Sequence, residues 1–398
     1  MSTSSETIAR TTESMIPLCV PEMRGNEWVY IKECLDTNFV SSVGPFVDRF
    51  EQMLADCLGA TCAVATVNGT AALHIALLVV DVQPDDEVLV STLSFIAPAN
   101  AVRYVGAWPV FMDADPLYWQ MDPEKLADFF NKECRWHSGE LHNRNTGRRV
   151  KAILPVHILG HPCDMDPILE MARKYNLAVI EDATESLGAK YKGRKVGCLG
   201  DIACLSFNGN KIITTGGGGM IVTDNLKCAG RAKYLTTQAK DDPVEYIHHE
   251  IGFNYRLTNV QAALGCAQME KLRDYIAAKR AIASTYRKEL TGFPGVTSMA
   301  EAPWATSSYW MYTILVDSSR FGMNRNDLMK HFARLGVETR PLWQPLHYSP
   351  AHKGCQSYRC ETAEKIYRDS LSLPSSVNLS GSDQGRVVGI LKEASLGA

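Results

Sequence analysis

From about Thr61 onward the chain alternates short apolar runs with longer amphipathic stretches. The runs are AVATV (63–67), EVLVST (87–92), WPVFMD (108–113), KAILPVH (151–157), LAVIEDA (177–183), IACLSFN (202–208) and MIVTD (220–224). Helical periodicity separates several of them, as in AALHIALLVV (71–80), DPEKLADFF (122–130) and DMDPILEMARKYN (164–176). Strands alternating with helices predict the α/β class, with a mainly parallel sheet covered on both faces. Such sheets bind ligands at the carboxyl ends of their strands, so the loops after these runs are where chemistry is expected.

The polar stretch NKECRWHSGELHNRNTGRR (131–149) interrupts the rhythm and reads as a surface excursion. A long helical segment follows from Asn259 to about Leu290, and then the GFPGV turn (292–296) opens a second α/β region with YWMYTILVD (309–317) and NDLMKHFARLG (326–336). The expected organisation is an N-terminal arm (1–25), a large domain (26–280) and a smaller C-terminal domain (281–398), without internal repeats.

Composition narrows the function classes. With 398 residues, 45% hydrophobic and 21% charged, the chain can bury two cores. The net charge of −3 and the scatter of Lys and Arg among Asp and Glu give no basic stripe, so no nucleic-acid partner is expected. The 12 cysteines fall singly in apolar stretches and none forms C-x-x-C, which predicts reduced thiols and no disulfide framework. The opening MSTSSETIARTTES lacks the apolar core of a secretory signal, and no apolar run reaches bilayer length. The expectation is a soluble, cytoplasmic protein with no membrane partner.

Three features fall at strand ends. In VNGTAAL (67–73) a strand gives way to a helix through Asn68-Gly69-Thr70, which reads equally as an anion site at a helix N-terminus or as a plain cap. In VIEDATESLGA (179–189), Asp182 ends an apolar strand and could hold a cationic ring nitrogen, ligate a metal or cap a helix. No histidine at ligand spacing supports the metal. In SFNGNKIITTGGGGM (206–220), the glycine run follows Lys211 and Ile212 stands where a phosphate loop needs a hydroxyl, so that motif is absent. Lys211 is then either a surface lysine on a turn or an amine that forms a Schiff base. His157 and His161 are four apart, but Gly160-His161-Pro162 is no helix and the spacing carries no zinc signal, whereas His347, in RPLWQPLHY (340–348), reads as a pocket residue or a packed loop. Taken together, an anion site, a ring-pairing Asp and a lysine nucleophile are the parts that hold pyridoxal phosphate, with Phe95 available to stack on the ring.

At this level the chain strongly resembles the DegT/StrS-type nucleotide-sugar aminotransferases over nearly its whole length, from about Ile16. The landmarks are FVSSVGPFVDRFE (39–51), NGTAAL (68–73), SFIAPANAV (94–102), VHILGHPCDMD (156–166), EDATESLGA (181–189), SFNGNK (206–211), GGGM (217–220) and GFNYRLTNVQAALG (252–265). The resemblance implies the fold-type-I architecture of pyridoxal phosphate enzymes and a homodimer with shared active sites. It implies Lys211 as the Schiff-base lysine, Asp182 on the pyridine nitrogen, Gly69, Thr70 and Ser206 on the phosphate, Phe95 on the ring, and Asn254 reaching in from the other subunit. Glu185 stands where many members carry His or Gln near the cofactor's phenolic oxygen. Ser42 and His347 are the expected substrate contacts. Gly217 replaces a Glu common in the glycine run, and Lys211 itself speaks against the dehydratases, which carry His there. Within the family, SFNGNKIITTGGGG, EDATESLGAKYKG, RPLWQPLH and SLPSS look most like the enzymes of bacillosamine and legionaminic acid synthesis. The implied reaction moves the amino group of L-glutamate to the C4 ketone of a UDP-linked 2-acetamido-4-keto-2,4,6-trideoxyhexose. A GDP-linked 4-keto-6-deoxyhexose of the perosamine type is the alternative, since no base-reading motif is evident.

Overall fold

The computed structural model describes residues 15–242 and 244–396; the N-terminal stretch read above as signal-free lies outside them. Two helices, α1 (Glu27–Asp36) and α2 (Pro45–Leu58), precede the first strand. Pro45 starts α2 where its missing N–H costs nothing, and Gly59 ends it in the left-handed region at φ 76°. Then follow β1 (Cys62–Thr66), α3 (Gly69–Val79), β2 (Glu87–Ser91), α4 (Ala97–Tyr104), β3 (Trp108–Met112), α5 (Pro123–Glu133), β4 (Cys134–His137), β5 (Glu140–Asn143), β6 (Arg149–Leu154), α6 (Met165–Lys174) and β7 (Ala178–Asp182). The short strands β8 (Lys190–Tyr191) and β9 (Arg194–Lys195) lead to β10 (Ile202–Ser206), β11 (Gly219–Thr223), α7 (Leu226–Thr236) and the long α8 (Asn259–Leu290). A capping box, Thr258 with Gln261, starts α8 where the sequence places it.

The large sheet has the order β1-β11-β10-β7-β6-β2-β3. The five strands from β10 to β3 pair parallel, while β11 lies antiparallel between β1 and β10. All seven predicted runs are strands, but β11 points the other way, so only six contribute a carboxyl end to the same edge. The loop from 207 to 218 returns the chain directly beside β10 rather than crossing a face, and an adjacent return must be antiparallel. Asn68 crosses close over β11: a Cβ on Gly219 would lie 2.5 Å from the Asn68 backbone. That contact explains one glycine of the run. Gly217 has open space around its Cα, and its carbonyl accepts from Thr215 Oγ1 and Gln261 Nε2.

Residues 131–149 are mostly exposed, as a surface excursion would be, but they are ordered. They form a β4–β5 hairpin whose second strand pairs with β6 through Leu141 and Val150. Cys134, Leu141 and Asn143 are buried, a period-two pattern hidden among polar neighbours.

Beyond α8 come β12 (Val296–Ser298), β13 (Ala305–Thr306), β14 (Tyr312–Val316), α9 (Ser318–Phe321), α10 (Arg325–Arg334), β15 (Ser357–Tyr358), α11 (Glu361–Asp369), β16 (Ser370–Leu373) and α12 (Gly381–Leu396). Strands β12, β14 and β16 make a second, antiparallel sheet. Two returns tie this region to the large one: β13 pairs with β8, and β15 adds to the outer edge of β3. The N-terminal segment also joins it, as Ile16 bridges Val337 and Ser375 N–H donates to Leu18 O. The twelve cysteines are all free thiols. Among the described residues no helix is long and apolar enough to cross a membrane, and no cluster of ligands could hold a metal.

Candidate active site

The carboxyl ends of β1, β2, β7 and β10 open onto a cavity of about 740 Å³. Register brings the relevant groups level. Thr66 and Ser206 both pair with Gly219, one on each side of β11, and Asp182 pairs with Cys204 on β10. The first turn of α3 therefore starts beside Ser206. Asn68 Oδ1 accepts from Ala71 N–H at 2.7 Å and Asn68 O accepts from Ala72 N–H. Gly69 and Thr70, whose N–H groups have no acceptor within the helix, line the cavity. A Cβ on Gly69 would sit 2.9 Å from Ser206 Cβ, so the helix start is packed onto the strand end with no room for a side chain. The result is a cradle for an anion, built from free amides, the positive end of a helix dipole and a serine.

Asp182 is buried at the cavity floor, where its Oδ1 accepts from Thr184 N–H at 3.1 Å. Burial holds its carboxyl above the usual range, against the opposing pull of Thr184 and Lys211. Glu185, three residues on in the turn after β7, is also buried and lies 3.6 Å from Lys211 Nζ. Burial pushes its carboxyl up to about 7 although Lys211 pulls the other way. Its second oxygen accepts from Leu159 N–H at 2.9 Å. Leu159 is held at φ 58°, a region that leucine rarely adopts, and strain of this kind is found where surrounding structure fixes a functional group. Beneath this layer Glu181 accepts from His157 Nε2 and from the N–H groups of Gly197, Leu199 and Gly200. Burial would raise that carboxyl, but these donors hold it below its ordinary value.

Lys211 projects into the cavity with its Nζ 4.0 Å from the centre of the Trp310 ring, a cation–π contact. The far wall consists of Trp310 and Trp343, stacked 6.1 Å apart at 6°, with Arg340, Cys19 and Leu18. Phe95 lines the cavity from the loop after β2 and is 53% exposed, which leaves its ring accessible.

Gly69, Thr70, Phe95, Asp182, Glu185, Ser206 and Lys211 are thus brought together around one cavity. Three expected residues are not. His347 lies half-buried outside it, with Nδ1 2.7 Å from Thr92 Oγ1 and Nε2 3.1 Å from Glu364. The stretch RPLWQPLH does reach the cavity, but through Arg340, Pro341, Leu342 and Trp343. Ser42 lines a separate hollow of about 140 Å³ with Lys233 and Arg256. Asn254 is exposed, bridges to Thr237 and does not line the cavity of its own chain. Sequence reasoning missed Trp310, Trp343, Arg340 and Cys19. Their only signal is aromatic density in YWMY and around Trp343, and core packing produces the same signal.

A mainly parallel sheet with an anion cradle after its first strand, a buried acid after β7 and a cavity lysine after β10 defines a pyridoxal phosphate enzyme. The residues fit that group on their own geometry: a cradle that a Cβ would fill, a buried acid in reach of a cationic nitrogen, and an amine aimed between them. The sequence profile of the DegT/DnrJ/EryC1/StrS aminotransferase family matches residues 21–392, and the chain belongs to this family. It is 41% identical over 379 residues to the GDP-perosamine synthase of Caulobacter vibrioides, covering 95% of this chain and 98% of that one. It is 40% identical over 366 residues to the GDP-perosamine synthase of Escherichia coli O157:H7, covering 92% and 94%. The crystal structure of a DegT DnrJ EryC1 StrS aminotransferase from Brucella abortus superposes with a TM-score of 0.84 at 27% identity, over 92% of this chain and 95% of that one. The chain is accordingly a pyridoxal phosphate-dependent sugar-nucleotide aminotransferase. The two synthases are named for GDP-perosamine and not for bacillosamine or legionaminic acid, the subgroup expected from the sequence.

Proposed function

We propose that the enzyme transfers the amino group of L-glutamate to the C4 ketone of a GDP-linked 4-keto-6-deoxyhexose, in a cytoplasmic homodimer. The donor leaves as 2-oxoglutarate, and the ketone oxygen is exchanged for nitrogen. The substrate assignment is supported above all by the 41% identity, over almost the full length of both chains, to a GDP-perosamine synthase. When bound, pyridoxal phosphate supplies an electron sink and carries the amine between the two substrates.

The chain's own residues have distinct tasks. Gly69, Thr70 and Ser206 hold the phosphate in the cradle. Asp182 keeps a positive charge on the ring nitrogen from its buried position. Phe95 covers the ring. Lys211 Nζ takes a proton from the carbon that loses the amine and returns one to the carbon that gains it. Glu185, buried 3.6 Å from that amine, is its ion-pair partner on the same side. Arg340, a cation on the small-domain wall, suits a carboxylate of the donor. Trp28, Leu35, Phe39 and Val43 are exposed apolar side chains near the N-terminus, which supports a subunit interface there. In that dimer Ser42 faces substrate and Asn254 of each chain serves the cavity of the other.

A panel of GDP- and UDP-linked 4-keto sugars with L-glutamate, read by product mass, tests the reading. Amination of the GDP-linked sugar is expected; turnover of the UDP-linked 2-acetamido sugar alone would overturn it. Mixing Lys211→Ala with Asn254→Ala chains should restore activity in hybrids, which keep one complete site. Without restoration, Asn254 does not act across subunits.

A further inference from the structure

Lys279 lies in the middle of α8, outside the cavity lining but directly behind it, and the residue is buried to 2% exposure. No carboxylate pairs with it among the described residues. Its Nζ instead meets three acceptors: Trp310 O at 2.9 Å, Cys19 Sγ at 3.5 Å and Ser375 O. Three acceptors around one nitrogen require three N–H groups, so the side chain is an ammonium even though burial pulls its pKa down. An unpaired buried cation costs several kcal/mol, and an apolar residue of the same length would avoid that cost.

The partners show what the charge is for. Cys19 Sγ, which accepts from Lys279, donates to Asn210 O at 3.3 Å. Trp310, whose carbonyl accepts from Lys279, donates its indole N–H to the same Asn210 O at 2.6 Å. Two hydrogen-bonded paths thus leave one buried ammonium and converge on one carbonyl, that of the residue preceding Lys211. The Trp310 ring on the second path is the surface over which Lys211 Nζ lies. Each path crosses between segments far apart in sequence: the N-terminal segment, α8, the small-domain strand region and the catalytic loop.

We propose that Lys279 is a positioning residue for Lys211, acting through Cys19 and Trp310 to fix the Asn210 carbonyl and the indole against which the reacting amine rests. The ammonium polarises the Cys19 thiol toward Asn210 and pins the Trp310 backbone, so the amine keeps one approach direction while substrates exchange. The proposal rests on Lys211 as the reacting amine.

The test uses Lys279→Met, Cys19→Ala and their double variant in the full-length chain. Positioning predicts that Lys279→Met lowers kcat by about tenfold or more with little change in either KM. Cys19→Ala, which severs one path, should lower kcat by about threefold, and the double variant should be no worse than Lys279→Met alone. In the cofactor-free protein, the rate of Lys211 acylation at one fixed pH, followed by peptide mass, should change by about threefold or more in both single variants. Thermal unfolding of Cys19→Ala should stay at the wild-type value. Wild-type kcat and an unchanged acylation rate in Cys19→Ala would overturn the proposal, and that variant decides even where Lys279→Met does not fold. Failure of the Lys211 reading is distinct: there Lys211→Ala would itself remain active.

Discussion

On the sheet-edge side of the cavity, Asp182 and Ser206 end strands of one sheet, and Gly69, Glu185 and Lys211 lie just beyond such strand ends. On the opposite side, Cys19, Trp310, Arg340 and Trp343 come from the two ends of the chain. The acids of the first side are buried and pinned by backbone N–H groups, Asp182 by Thr184 and Glu185 by Leu159. The second side is mixed: Trp310 is buried and held by Lys279 and Asn210, whereas the Arg340 side chain is 66% exposed and pairs only with neighbouring Glu338 among the described residues. Groups that must keep one geometry through both half-reactions sit where the sheet fixes them. Arg340, which must admit two different substrates, sits on the part of the wall that can adjust.

Substitutions on the two sides should therefore differ in kind. Lys211→Ala is expected to have the largest effect, a loss of about 10⁴-fold or more in kcat, because no second amine lies in the cavity lining to move the proton. Turnover near wild type would remove Lys211 from the chemistry. Asp182→Asn should lose about 10²–10³-fold in kcat while still binding cofactor, since the charge on the ring nitrogen is lost but its site is not. Unchanged kcat would break the assignment. Glu181→Gln should act through stability instead, lowering it by about 2–4 kcal/mol in denaturant titration. It sets an amide donor against the backbone donors that the carboxylate now satisfies. On the wall, Arg340→Gln should raise the KM for L-glutamate by about tenfold with kcat within about twofold, the signature of lost ground-state binding. A fall in kcat instead would move Arg340 to the reacting side.

The smallest effect concerns pH. The Glu185 carboxyl is raised from 4.5 to about 7 in the fold. Between those values the folded chain holds a proton that the unfolded chain has released. Its contribution to stability is thus present below 4.5 and lost as pH rises through about 7. Glu185→Gln should flatten that part of the stability profile of the cofactor-free protein. A profile identical to wild type would mean that Glu185 titrates at its ordinary value.

How far each side could be read in advance follows from the same contrast. Strand ends are local events: an apolar run stops, a Gly or Asp follows, and position on the sheet edge is implied. The seven runs and α8 were legible on that basis, as was the juxtaposition of Gly69, Asp182 and Lys211. The hairpin at 134–143 was not, because three buried residues among polar neighbours give too weak a period. His347 was chosen from its aromatic and proline surroundings, yet the same loop turns Arg340 and Trp343 inward and leaves the imidazole between Thr92 and Glu364.

By itself the sequence determined the α/β order, the strand ends and, through the resemblance those motifs carry, the cofactor. Each of these depends on residues close together in the chain. Only the tertiary structure decided the reversed direction of β11, the aromatic wall and the buried Lys279 hub. They depend on which distant segments meet, and a lysine amid helical periodicity looks the same whether it ends in water or beneath a catalytic loop.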